Sequence, residues 1–131
     1  MLYKIMLSKN GQAIIETALV LPIVVLIFTG IIDFGVLFGN YTLITSISRE
    51  SARYAAIGES DCNIRNIAAN MAQPLNHSKM RMFINPSETY RHRGQEVTIT
   101  VEYDNDIFTP IISAVVGNSI KLTAKTTMRV E

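Results

Sequence analysis

A run of twenty residues, from Ala13 to Ile32, contains only one ionisable side chain, Glu16. A helix rises about 1.5 Å per residue, so twenty residues span roughly 30 Å, the thickness of the hydrocarbon core of a bilayer. Thirteen of the twenty are Leu, Ile, Val or Phe. Together they contribute on the order of −4 to −8 kcal/mol to membrane insertion, whereas a central carboxylate costs about 2.5 to 3.5 kcal/mol. The run therefore predicts a membrane-spanning helix that inserts in spite of Glu16.

Glu16 lies near the start of the run and has two interpretations. In the first, it sits at the membrane interface in the first helical turn, where the helix dipole favours a negative charge by about 0.3 to 1 kcal/mol. In the second, it needs a partner inside the membrane, because ionisable residues within a membrane span usually serve a function. The residues alone leave both interpretations open.

Positive charge precedes the apolar run. Lys4 and Lys9 come before it, and no acidic residue occurs before Glu16. Such a bias keeps the N-terminus in the cytoplasm, so the chain from about residue 36 onward is expected outside the cytoplasmic membrane. A cleaved secretory signal fits less well, because the run is longer than a usual signal core and no A-x-A-like site follows it closely.

Composition restricts the remaining possibilities. The chain has 131 residues, enough for an anchor and one domain, and a formal net charge of +1, which does not indicate nucleic-acid binding. Its single cysteine, Cys62, cannot form an internal disulfide. We expect Cys62 to be a small buried apolar residue rather than a thiol available between chains.

Beyond Asp33, which is expected to mark the outer membrane boundary, the pattern becomes amphipathic with a helical period. One helix is predicted from residue 12 to 57, starting after the Asn10-Gly11 turn, stopping at Gly58, and kinked or loosened at Pro22. Its buried face is predicted to consist of Leu37, Tyr41, Ile44, Ile47, Ser51 and Tyr54. Its solvent face is predicted to consist of Asn40, Thr42, Thr45, Arg49, Glu50 and Arg53.

The rest of the chain predicts a second helix at 59–73, capped by Ser60 or Asp61, and three strands. The strands are expected at 80–84, 97–103 and 120–130, with a polar surface connection at 85–95 and a short helix from Thr109-Pro110 to Gly117. The fold class is α+β: a long N-terminal helix whose outer half packs on a small antiparallel sheet. The predicted core is Tyr41, Ile44, Ile47, Val97, Ile99, Val101, Leu122 and Met128.

No arrangement of residues indicates catalysis, a cofactor or a metal site, so an enzyme is not expected. His77 and His92 lie in predicted loops, and His92 stands between Arg91 and Arg93 in what is expected to be a solvated basic loop. The acidic stretch 104–106 lacks the glycine and distal glutamate of a calcium loop and is interpreted as a turn with a helix cap.

A resemblance to a known family rests on Gly11, the following Gln12-Ala13-Ile14-Ile15, Glu16 and the long apolar helix. These residues resemble the start of type IV pilin-like precursors. More narrowly, residues 11–56, the FTP segment at 108–110 and the ending TTMRVE are similar to the TadE-like family of the tight-adherence pilus system.

The resemblance implies a function and its sites. It implies cleavage between Gly11 and Gln12 by a prepilin peptidase, which makes Glu16 the fifth residue of the mature chain. Glu16 would then set the register of assembly by pairing with the new amino terminus. The implied organisation is a leader at 1–11, a transmembrane and filament-core helix at 12–35 and an extracytoplasmic domain at 36–131.

The implied role is that of a minor pilin or pseudopilin in the assembly of a pilus for surface attachment. Its expected partners are the prepilin peptidase, other pilins, the pilus assembly platform in the membrane and the lipid bilayer, with no nucleic acid. The alternative is a membrane-tethered extracytoplasmic binding domain that does not polymerise. Loss of eleven residues in the presence of the peptidase distinguishes the first role from the second.

Overall fold

The computed structural model describes residues 9–131, with side chains from Gly11 onward. Most of the predicted leader, including Lys4, lies outside the described residues. Within these residues, three α-helices and one three-stranded sheet confirm the predicted α+β class. In chain order the elements are α1 (Lys9–Ala56), α2 (Asp61–Met71), β1 (Met80–Asn85), β2 (Glu96–Asp106), α3 (Pro110–Val116) and β3 (Ser119–Arg129), with 3-10 turns at His77–Lys79 and Glu88–Tyr90.

Helix α1 has 48 residues, which corresponds to about 72 Å. It begins at Lys9, so the Asn10-Gly11 pair lies inside the helix and does not precede it as predicted. Pro22 also lies within it. The predicted stop at Gly58 is confirmed: Gly58 has a φ of +86°, and its N–H donates to the Ala55 carbonyl at 3.1 Å. Glycine adopts this left-handed conformation without the steric cost of a side chain.

The sheet is antiparallel in the order β1-β2-β3, with β2 in the centre. Along β2 the residues Val97, Ile99, Val101 and Tyr103 are buried and alternate with half-buried polar residues, as the period of two predicts. The strand continues to Asp106, so the predicted turn at 104–106 is wrong. Asn105 keeps the phase of the buried residues, and the pairing with β3 extends the strand to that end.

The core lies between the outer half of α1 and one face of the sheet. Ile44, Ile47, Val97, Ile99, Val101 and Leu122 are buried as predicted, and Met128 packs against them partly exposed. Tyr41 is 44% exposed, so its assignment to the core is wrong. Asn40, expected on the solvent face, instead donates from Nδ2 to Oδ1 of the buried Asn105 at 2.5 Å. The inward stripe of α1 thus passes through Asn40.

Small residues fill the centre of the contact between α1 and the sheet. Ser48, Ser51, Ala52 and Ala55 are fully buried, which lets the helix backbone approach the strands closely. The Ser48 hydroxyl lies 3.2 Å from the Ile99 carbonyl and 2.9 Å from the Thr126 hydroxyl. A buried hydroxyl needs such partners, because leaving it unpaired costs about 1 to 3 kcal/mol.

Helix α2 covers one end of the core. Ser60 caps it as predicted, accepting from the Asn63 N–H at 3.3 Å, and Ile64 and Ala68 face the core. Cys62 is exposed, so its predicted burial is wrong. It lies two residues before Ile64, and a helix turns about 200° over two residues, which places Cys62 on the opposite face.

The connection between β1 and β2 contains a buried cation that the sequence did not reveal. The Arg91 side chain is only 3% exposed; it pairs with Asp61 and donates from Nη1 to the Glu59 carbonyl at 2.9 Å. Asp61 also accepts from the Glu88 N–H at 3.1 Å, so the connection is fastened to the start of α2. The prediction of a solvated basic loop is therefore wrong for Arg91, whereas His92 and Arg93 are exposed.

Candidate functional site

Within residues 11–131, the inner part of α1 packs against almost nothing else. From Gln12 to Phe28 every residue is exposed, with apolar side chains such as Ile14, Leu19 and Phe28 at 67, 69 and 62%. We call residues 12–32 the stem. Among residues 11–131, one helix, α1, is long and apolar enough to cross a membrane. No part of its most apolar stretch is buried within the protein. So large an apolar surface needs lipid or other protein as its cover.

Glu16 lies on the stem, exposed, one helical turn after Gln12. Within residues 11–131 no hydrogen bond or ion pair joins its carboxylate to another residue. It borders a shallow surface groove with Thr17, Val20, Leu21 and Val24. Residues four apart lie on the same face of a helix, so a positive group at Gln12 would lie within reach of Glu16.

The predicted cleavage bond between Gly11 and Gln12 lies inside helix α1. Proteases bind their substrates in an extended conformation, so cutting this bond requires the first turns of α1 to unwind. Glycine lowers that cost, because it is about 1 kcal/mol less favourable than alanine in a helix interior. The geometry thus adds a local unwinding step to the predicted processing.

Asp33, expected to mark the outer membrane boundary, has a structural partner. Its carboxylate accepts from the backbone N–H groups of Phe108 at 3.2 Å and Thr109 at 2.8 Å. Thr109 occupies the N-cap of α3, with Pro110 next, as the sequence predicts, but its own side chain makes no capping bond. The carboxylate of Asp33 therefore ties the N-terminal end of α3 to the top of the stem.

A second contact packs α3 against α1. A side-chain carbon built at Gly30 would lie 3.7 Å from Cδ1 of Ile112, so Ile112 lies directly over Gly30. Between these contacts is a cleft of about 190 Å³ lined mostly by apolar side chains, among them Phe34, Leu37 and Ile120. The FTP segment of the family resemblance thus provides the backbone N–H groups that bind Asp33 at the end of the stem.

The candidate sites stand apart from one another. Gly11, Gln12 and Glu16 lie together at the inner end of the stem, and even Glu16 is about 26 Å from Asp33 along the helix at 1.5 Å per residue. His77 and His92 are both exposed and lie on separate segments. Among the residues that the structure describes, no group of three His, Cys, Asp or Glu side chains could hold a metal ion. The role of Asp33 was missed because its partners lie 75 and 76 residues later.

Comparison with known proteins yields one family. A family model described as TadE-like protein matches residues 11–53, about a third of the chain, and so confirms the resemblance over most of α1. That family is associated with tight-adherence pili and is pilin-like, and it is not known for enzymatic activity. No curated protein and no solved structure matches the chain.

Proposed function

We propose that this chain, TadE-like over residues 11–53, is a minor pilin or pseudopilin that takes part in assembling a tight-adherence type IV pilus for surface attachment. Its N-terminus lies in the cytoplasm, the stem crosses the cytoplasmic membrane once, and the sheet with its helices lies outside. A prepilin peptidase removes residues 1–11. The mature chain then leaves the bilayer and packs with other pilins on the membrane assembly platform.

One observation carries the proposal: a single helix has a buried outer half and a bare apolar inner half. Residues 44–56 pack on the sheet, whereas among the residues that the structure describes nothing buries residues 12–28. Lipid tails and a bundle of apolar helices are both apolar surroundings. Moving the stem from one to the other therefore changes its hydrophobic free energy little, as a subunit that is first stored in a membrane and then assembled requires.

Apolar packing alone does not fix the axial offset between neighbouring helices, and Glu16 fixes it by favouring one offset. Cleavage after Gly11 creates a free amine on Gln12, one turn from Glu16 on the same chain and available to a neighbour. A buried charge that loses its partner costs about 3 to 5 kcal/mol, so arrangements that pair the carboxylate are favoured.

Cleavage also changes the charge that holds the chain in the membrane. Removing residues 1–11 takes away Lys4 and Lys9, and the formal net side-chain charge changes from +1 to −1. The cationic residues that keep the N-terminus in the cytoplasm are then gone. Processing thus makes extraction of the stem easier.

The test compares Glu16→Ala with Thr17→Ala in the full chain, expressed with the pilus system. Thr17 is the matched control, because it is the adjacent stem residue and its hydroxyl bonds only to the Ala13 carbonyl of its own helix, at 2.9 Å. An immunoblot measures processing, and chemical crosslinking measures contact with other pilins. Glu16→Ala should be inserted and cleaved at near-normal levels but lose the crosslinks, whereas Thr17→Ala should keep both.

Normal crosslinking of Glu16→Ala would make Glu16 an interfacial residue and remove the register mechanism. A wild-type chain that stays at full length when the peptidase is present, and that never crosslinks to a pilin, would identify a tethered domain that does not polymerise.

A further inference from the structure

Helix α3 and the residue before its cap present an apolar ridge that no other part of the described chain covers. Phe108, Ile111, Val115 and Val116 are exposed by 74, 56, 83 and 56%. We call these four residues the α3 ridge. No residue between Asp106 and Lys121 is ionisable. An exposed apolar stretch without charge indicates a surface that meets an apolar partner.

The position of the ridge along α1 is fixed by the two contacts of the junction. Ile112 lies over Gly30, and the Asp33 carboxylate holds the backbone of Phe108 and Thr109. Gly30 is two residues before the end of the apolar run at Ile32, or about 3 Å along the helix axis. The ridge therefore projects sideways from the stem at the level where the stem leaves the hydrocarbon core.

The ion-paired charges at the middle of the sheet lie away from the ridge. Glu102 on the central strand lies 3.8 Å from both Arg81 and Lys121, which forms a cross-strand ion-pair cluster on the face away from α1. The ridge instead adjoins the stem, because Phe108 lines one surface groove together with Thr29 and Ile32. A surface continuous with a membrane span, at the level of its end and without charge, fits lipid.

We propose that the α3 ridge lies in the interface of the outer leaflet and seats the extracytoplasmic domain on the bilayer before assembly. This inference rests on the proposed membrane-spanning role of the stem. An amphipathic element at this level buries its apolar face about 5 to 10 Å into the boundary between headgroups and acyl chains. Asp33 then acts as a positioning residue, because it holds the start of α3 at that depth. On extraction into a filament the ridge leaves the lipid together with the stem.

The experiment places one fluorescent label at a time on the full chain in phosphatidylcholine–phosphatidylglycerol vesicles. Cys62→Ser provides the cysteine-free background, which is tolerable because Cys62 is exposed. Single cysteines are then introduced by Val115→Cys on the ridge, Val24→Cys at mid-span and Thr123→Cys on an exposed strand position. Each label is quenched by aqueous iodide, by lipids carrying a nitroxide near the headgroup, and by lipids carrying it deep in the acyl chain.

The label at position 115 should have blue-shifted emission, lose iodide quenching relative to position 123, and respond to the shallow nitroxide more than to the deep one. The label at position 24 should respond to the deep nitroxide. If position 115 is as open to iodide as position 123 while position 24 is quenched in the bilayer, the ridge proposal is wrong and the span stands. If the label at position 115 is protected from iodide but quenched by neither lipid, protein covers the ridge, and this result also overturns the proposal. If position 24 itself is not quenched by lipid, the membrane-spanning role of the stem fails.

Discussion

Replacing Arg91 by alanine should destabilise the domain formed by the sheet and its helices far more than the place of Arg91 in a polar connection indicates. Its guanidinium pairs with Asp61 and donates to the Glu59 carbonyl at 2.9 Å. A hydrogen bond to a charged group is worth about 1.5 to 3 kcal/mol. Breaking a fully buried pair costs about 3 to 5 kcal/mol, but the Asp61 side chain is 24% exposed, so water replaces part of the loss. We expect a cost of about 2 to 4 kcal/mol.

That cost corresponds to a fall in Tm of roughly 10 to 25 °C for a domain of this size. The assay is thermal unfolding of the full chain in detergent, followed by near-ultraviolet circular dichroism of the tyrosines, of which Tyr103 is buried. The matched control is Arg93→Ala, an exposed arginine two residues away, which should change stability by no more than about 0.5 kcal/mol. Equal melting of the two variants would refute the structural role of Arg91.

Substitutions at three further positions test the strand face, the contact of Asp33 with α3 and the cleavage site. Ile99→Val at the centre of the sheet should cost about 0.5 to 1.5 kcal/mol, whereas Ile99→Asp should unfold the domain by burying an unpaired charge; an unchanged Tm for Ile99→Asp would contradict the strand face. Asp33→Ala should speed amide exchange at Phe108 and Thr109 by removing their acceptor, and exchange at the wild-type rate would show that Asp33 does not hold α3. Gly11→Val should leave an uncut precursor on an immunoblot, because the side chain obstructs an extended substrate; normal processing would argue against this bond.

The strands and helices could be predicted because their signals are local. The alternation in β2, the glycine stop of α1 and the Thr109-Pro110 start of α3 each depend on neighbouring residues. Which face of α1 is buried was harder to predict, because two paths from Leu37 to Ile44 fit a helical period. One passes through Tyr41 and the other through Asn40. Hydrophobicity favours tyrosine, but Asn105 across the interface provides a partner for asparagine.

The errors at Arg91 and at residues 104–106 share a physical cause, since each depends on a residue far along the chain. Arg91 is buried because it pairs with Asp61, which lies 30 residues earlier in the chain. No periodic pattern in the sequence indicates such a pairing. The polar end of β2 resembles a turn until the backbone of β3 pairs with it. The charge of Asp33 likewise predicts only a membrane boundary. Its contact with the start of α3 depends on the fold, which brings residues 108 and 109 next to it.

The most direct test of the pilin assignment is the mass of the chain's N-terminal peptide, measured from membranes of cells with and without the prepilin peptidase. The account predicts a new N-terminus at Gln12 in the presence of the peptidase and an uncut Gly11-Gln12 bond in its absence. A chain that keeps this bond uncut in both cells, or that begins at any other residue, would contradict it.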